Sequence, residues 1–309
     1  MGKSTWKRAG VALTAAGLVA GLAGCNDGDG KAAGTAKAGD VTQVLTAAYE
    51  KTSAAKAAKV TMTMSLEGVG AESGTMEMSG VQGWDPMVMD YTIKGSMLSA
   101  GNPDAPEQMR MLMLDNVMYM DMGEKQAAEM DGKRWMKLDM KAAAEASGDK
   151  SLQKAMTGNL DQMNQDPAQQ LALLLDSPDL KHVGAEKVNG METQHYKGTL
   201  TFEQMLKANK SMELLTKEEH DQLIENMKKT GLKGYDTEVW VDENGYPARM
   251  DIAMEMAEGK MNLRADYSDY GTKAAVQAPP ADETVDLFQM LKDMGEGLED
   301  AGDAAGAQG

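Results

Sequence analysis

Methionine is the side chain whose spacing stands out. Met-x-Met recurs at Met62/Met64, Met76/Met78, Met87/Met89, Met109/Met111/Met113, Met118/Met120/Met122 and Met254/Met256, in a chain with 29 methionines and two phenylalanines. A spacing of two places each set on one face of a strand. Thioethers so arranged could fill an irregular core and pack against aromatics. They could also wall a cavity in which unbranched, polarizable arms repack around acyl chains of variable shape. That reading nominates Met62, Met64, Met87, Met89, Met111, Met113, Met118, Met120, Met254 and Met256 as lipid-binding candidates. A third reading is capture of Cu(I), a soft ion that thioethers suit, which requires several methionines to approach one point. His182, His195 and His220 show no paired ligand spacing, so neither a metal site nor a cofactor is expected.

Cys25 is the only cysteine in the chain. It closes Leu22-Ala23-Gly24-Cys25, directly after an apolar stretch preceded by Lys3, Lys7 and Arg8. A basic start and a short apolar run ending in small residues read as an export signal, since a spanning helix needs roughly 20 apolar residues. The tetrapeptide looks like a lipobox, in which the thiol receives a diacylglyceryl group and cleavage leaves that cysteine first. Stable anchoring takes two acyl chains, and one such group supplies both. With its thiol consumed, the mature chain has no disulfide, zinc-thiolate site or cysteine nucleophile. The expected location is the outer face of the cell membrane, held by lipid.

The signal takes three of the 31 basic residues, leaving 28 against 48 acids and a mature net charge of −20. Such a surface repels phosphate backbones and anionic headgroups, so nucleic-acid binding is not expected. Gly-x-Ser-x-Gly, P-loop, Gly-x-Gly-x-x-Gly and His-Glu-x-x-His signatures are absent, and no enzymatic activity is expected. Carboxylate pairs such as Glu218/Glu219 and Asp242/Glu243 read as solvated surface. Trp84, Trp135 and Trp240 are core residues or a sugar or lipid lining.

The elements that must position these residues divide the chain into a signal (1–24), a lipidated tether (25–40), one folded domain (41–294) and a polar tail (295–309). A helix is predicted from Val41, with Asp40 as its N-cap and Val41, Val44, Leu45, Ala48 and Tyr49 on one face. Period-two alternation follows in Val60–Leu66, Thr75–Ser79, Met87–Ile93, Met109–Leu114, Val117–Met122 and Arg134–Met140. Asp115-Asn116 is a tight hairpin signal. A helical insert over 141–176 contains Asp166-Pro167 as N-cap and first residue. The theme repeats in Leu180–Glu186 and Thr193–Phe202 around Asn189-Gly190, then in Thr237–Asp242, Arg249–Met256 and Met261–Tyr267. Thr201–Gln204 and Thr216–Glu219 are capping boxes, and helices at 203–231, with those of the insert, are lid candidates. Val285–Met294 is predicted as a final helix. Helix, strands, helix, strands and tail make an α+β chain, most simply one curved antiparallel sheet with helices on one face.

Lipobox, low-complexity tether, first helix, long meander, helical insert and the hairpin Trp240-Val-Asp-Glu-Asn-Gly-Tyr-Pro-Ala-Arg-Met250 together resemble the actinobacterial LppX/LprG-type lipoproteins of the LolA-like half-barrel superfamily. What the resemblance implies is a half-barrel wrapped around an apolar cavity that carries lipids or lipoglycans across the envelope, with helices as plug or lid. The expected partners are the membrane, through the anchor, and a lipid ligand; the chain itself is expected to be a monomer. The alternative is a sensory or interaction lipoprotein with a filled core that contacts a membrane regulator or another envelope protein.

Overall fold

In a computed structural model, the structure describes residues 38–68, 73–99, 106–142, 166–201 and 234–290, with positions 217, 222, 224, 225 and 231. Cys25 and the tether up to residue 37, most of the insert (143–165), the capping boxes beyond Thr201 and the tail lie outside the described residues. All described residues belong to one compact unit, Thr35–Gly309.

Helix α1 runs Ala38–Ala55, so Asp40 sits in its first turn and is not its cap. Val41, Leu45, Ala48 and Thr52, three or four residues apart, are its buried side. The chain turns at Lys56, with φ of 61°, and enters a first meander. It comprises β1 (Ala57–Glu67), β2 (Gly74–Trp84), β3 (Met87–Lys94), β4 (Gln108–Leu114), β5 (Val117–Asp121) and β6 (Trp135–Asp139). A short helix α2 (Gly123–Glu129), which the spacing did not predict, bridges β5 and β6. Helix α3 (Pro167–Leu175) then opens a second meander of β7 (Lys181–Val188), β8 (Met191–Thr201), β9 (Gly234–Asp242), β10 (Pro247–Met256) and β11 (Gly259–Ser268). The last strand is β12 (Thr284–Asp286).

These strands form one curved, unclosed sheet in the order β12-β6-β5-β4-β3-β2-β1-β11-β10-β9-β8-β7. Two meanders are thus joined where the first strand pairs with the eleventh, from Lys59↔Ser268 to Glu67↔Lys260. All pairs are antiparallel except β12 with β6, which is parallel. Val285 and Asp286 were expected in the final helix, which begins only at Leu287; with Thr284 they form a strand. They instead cover the edge of β6, where unpaired backbone groups favour a strand; Thr284 and Val285 are β-branched, and Lys137 Nζ meets Asp286 Oδ2 at 3.1 Å. Strand β2 also runs five residues beyond the expected Ser79, through Gly80 and Gly83, which read as breakers. Gly80 marks a close approach: a Cβ there would stand 1.9 Å from the Asp90 carbonyl oxygen of β3.

Both residues of the Asp115-Asn116 turn have positive φ, 52° and 63°, the type I′ geometry that follows the strand twist. Asn116→Val should therefore lower stability by about 1–2 kcal/mol, while Asn116→Gly should hold it, as read from urea denaturation midpoints.

Helix α3 docks through Ala168, Leu171 and Leu174. Asp166 caps it, accepting from the Ala168 N–H at 2.8 Å. Gly198 of β8 allows the approach, since a Cβ there would meet Ser177 Oγ at 2.6 Å and Leu174 Cδ1 at 2.8 Å. Beyond the helix, Asp179 Oδ1 accepts from the Ser177 hydroxyl at 2.6 Å and from the Thr199 N–H at 2.8 Å. These two bonds hold the carboxylate below its usual pKa. A depressed folded pKa contributes stability above the unfolded value, near 3.9, that is lost as pH falls through the folded one. Asp179→Asn should destabilise the chain at pH 7, and its difference from wild type should shrink below about pH 4, measured by urea midpoints across pH.

Candidate functional site

The sheet has two chemically distinct faces, and the pairing register decides which residue belongs to which. On the face covered by α1 and α3, Tyr267, Val60, Gly80, Tyr91, Met111, Met120 and Met136 succeed one another across seven neighbouring strands. The row beside it reads Gln82, Met89, Met113, Met118 and Leu138. On the other side lie Met250, Ala265, Met62, Met78 and Ile93. Met64 opposes Met76, Met254 opposes Met261, Met87 opposes Trp84 and Met256 opposes Gly259. All ten methionines nominated from the sequence stand on this one face.

They do not share one environment. Met62, Met89 and Met113, at 3%, 3% and 0% exposure, belong to the closed core with Val41, Leu45, Leu171, Leu174, Tyr91 and Tyr267. Met87, Met111 and Met118 are half-buried and pack against that core, as do Met76 and Met78. Met64, Met120, Met254 and Met256 are half-buried outside it. The face therefore grades from a filled centre under the helices to a looser margin at strand ends and along β5.

One end of the filled centre is aromatic. Tyr270 stacks on Tyr246 at 4.5 Å between centroids and meets Trp84 edge-on at 6.4 Å. Burial pushes the phenols of Tyr91, Tyr267 and Tyr270 up, so they remain donors: Tyr91 donates to Gln82 Oε1 at 2.7 Å and Tyr270 to the Pro247 carbonyl at 2.9 Å. The Trp84 indole nitrogen is buried there without a partner. Lys51 reaches the Asn244 carbonyl from α1 and lies 5.7 Å from the Tyr246 ring centre.

The opposite face carries the ion pairs, beside buried Val88, Leu112, Trp135 and Trp240. Each of the four arginines among the described residues pairs with an aspartate of a neighbouring segment: Arg110 with Asp90, Arg134 with Asp121, Arg249 with Asp266 and Arg264 with Asp251. Three are two-pronged, as in Arg110 Nε–Asp90 Oδ1 at 2.9 Å and Nη2–Oδ2 at 2.7 Å. These partners were missed in the sequence, although all but Arg134, which precedes β6, fall on the phase of their strand that faces away from the methionines. His195 stacks on Trp240 at 4.2 Å, and its Nε2 lies 2.7 Å from Glu238 Oε2, out of line for a hydrogen bond. Trp240 donates to Glu186 at 2.8 Å. Trp240 and Trp135 are thus outer-face anchors, and Trp84 alone of the three tryptophans stands on the methionine face. His182 sits at the edge, 2.7 Å from Gln194 Oε1; His220 is outside the described residues.

A groove of about 450 Å³ also lies on the charged face, lined by Thr63, Ser65, Lys197, Glu238, Asp251 and Arg264 among others. Its cations are already paired, Lys197 with Glu238 and Arg264 with Asp251, which does not suit an acyl chain. Among the described residues no group of three His, Cys, Asp or Glu is placed to hold a metal ion, and no helix is long and apolar enough to cross a membrane.

The chain is 31% identical over 256 residues to the uncharacterized 31.2 kDa protein of the rplA–rplJ intergenic region of Streptomyces griseus, covering 80% of this chain and 79% of that one. It belongs to the family of that protein. A second relative of the family member's kind, a Streptomyces coelicolor protein named as a lipoprotein, is 25% identical over 72% of this chain and 67% of its own. No family model matches. Among solved structures, the chain is similar to the lipoprotein LppX of Mycobacterium tuberculosis, with 11% identity, TM-score 0.41, and coverage of 77% of this chain and 99% of that one. It is similar also to LprF of Mycobacterium bovis, with 13% identity, TM-score 0.38, and coverage of 80% and 99%. LppX is the type that the sequence resembles. At these scores the family's architecture in this chain is read from its own strand order and unclosed sheet.

Proposed function

We propose that this chain is a lipoprotein anchored through Cys25 to the outer face of the cell membrane, which binds an apolar or amphiphilic lipid on its methionine face and carries or presents it within the envelope. The observation that supports this reading is the common face of the ten methionines, graded from closed core to half-buried margin. Acyl chains would replace water against the margin, and burial at about 25 cal/mol per Å² of apolar surface would supply affinity with little directional selectivity. A relative named as a lipoprotein, and the similarity to LppX and LprF, are consistent with the anchor and the envelope setting.

Organic extraction of the purified chain and mass spectrometry should release stoichiometric lipid. Repeated absence of lipid, with no uptake of fluorescent fatty acids, would sink the carrier reading. That outcome favours a filled-core interaction module contacting a membrane regulator, to which the full burial of Met113 also lends weight. The anchor is tested separately: an alkyne analogue of palmitate should label the wild-type chain in cells and leave Cys25→Ala unlabelled.

A further inference from the structure

Thioether capture of a soft ion needs several methionines around one point, and the β4–β5 hairpin supplies them. Met111 opposes Met120 and Met113 opposes Met118, all on the same sheet face. Directly opposed Cβ atoms are about 5 Å apart, and residues two apart along a strand are about 6.8 Å apart. The four Cβ atoms therefore stand at the corners of a rectangle whose centre is about 4 Å from each, within reach of the methionine arm. The turn holds the corners in register, because Asp115 and Asn116 adopt φ of 52° and 63°.

The donor set is selective. Thioethers are neutral and soft, so they favour Cu(I) over calcium or magnesium, and the one carboxylate of the two strands, Asp121, projects on the opposite phase, where it meets Arg134. Met113 is fully buried, while Met111, Met118 and Met120 are half-buried and leave a route for entry. A net charge of −17 for the whole chain raises the local concentration of cations. We infer that Met111, Met113, Met118 and Met120 form a thioether site for one monovalent soft cation of the Cu(I) or Ag(I) class. This inference stands on the hairpin register and is independent of whether the face binds lipid.

The test uses the mature chain in detergent micelles, its Cys25 sulfur blocked by the anchor and its non-covalent lipid removed. Anaerobic titration with Cu(I) against a chelating competitor should show one ion retained per chain at micromolar affinity or better. In a chain carrying M111L, M113L, M118L and M120L together, retention should fall at least about tenfold, with circular dichroism reporting the fold. Independently, Ag(I) added to wild-type chain labelled with ¹³C at the methionine methyls should move the resonances of these four. Unchanged retention in the folded four-leucine chain overturns the site. So does a titration in which those four methyls do not move, and this second reading decides the matter alone if the four-leucine chain does not fold.

Discussion

Replacing Met113 by alanine should lower the free energy of unfolding by about 2–5 kcal/mol, the range for emptying a core position, whereas Met113→Leu should stay within about 1.5 kcal/mol. Met113 is fully buried and stands between Met89 and Met118 in the cross-strand row. Deletion of its arm therefore loses both transfer free energy and the contacts of neighbours that cannot close the gap. Leucine restores most of the volume, which is what decides stability in the ion-free chain. Met120→Ala, at a half-buried position outside the core cluster, should cost clearly less. Urea denaturation of the three variants checks the gradation, and equal losses at Met113 and Met120 would contradict it.

The second large effect concerns the margin. A chain carrying Met64→Glu and Met254→Glu should bind fluorescent fatty acid at least about tenfold more weakly, equivalent to about 1.4 kcal/mol. Both residues are half-buried on the methionine face, opposite Met76 and Met261. An ionised carboxylate beside an acyl chain must keep its water or carry a desolvation penalty of several kcal/mol, and either outcome removes apolar contact. Two buried methylenes at about 0.8 kcal/mol each already account for the tenfold figure. The control is Thr61→Glu, exposed on the same strand but on the opposite face. It should leave binding unchanged; an equal loss there, or none in the double variant, would remove the methionine margin from the site.

Local structure was largely legible before the fold was known, because it depends on neighbours in the chain. The alternation of Val60, Met62, Met64 and Leu66 with Thr61, Thr63 and Ser65 marks β1. Asp115-Asn116 and Asn189-Gly190 mark their hairpins, and Asp166-Pro167 marks the start of α3. The misses have long-range causes. Val285 lies in a periodic apolar stretch that suits a helix, yet pairs with Met136, nearly 150 residues earlier, because β6 offers an open edge. Gly80 reads locally as a break but is required inside β2 by the nearness of β3. The arginine partners were likewise hidden: Asp251 for Arg264 and Asp90 for Arg110 become neighbours only through pairing of adjacent strands.

Composition and spacing by themselves determined that the chain carries one cysteine, a large excess of acidic residues and strands with a methionine phase. Those are properties of single residues and of the two-residue repeat of an extended chain. Only the tertiary structure decided that the methionine phases of both meanders meet on one face, since that depends on the pairing of β1 with β11 across about 200 residues. It also decided which methionines are closed core and which are margin. Burial is set by what packs against the sheet, and Met62, Met89 and Met113 share one core cluster with Val41 and Leu45 of α1 and Leu171 and Leu174 of α3; that is a property of no strand taken alone.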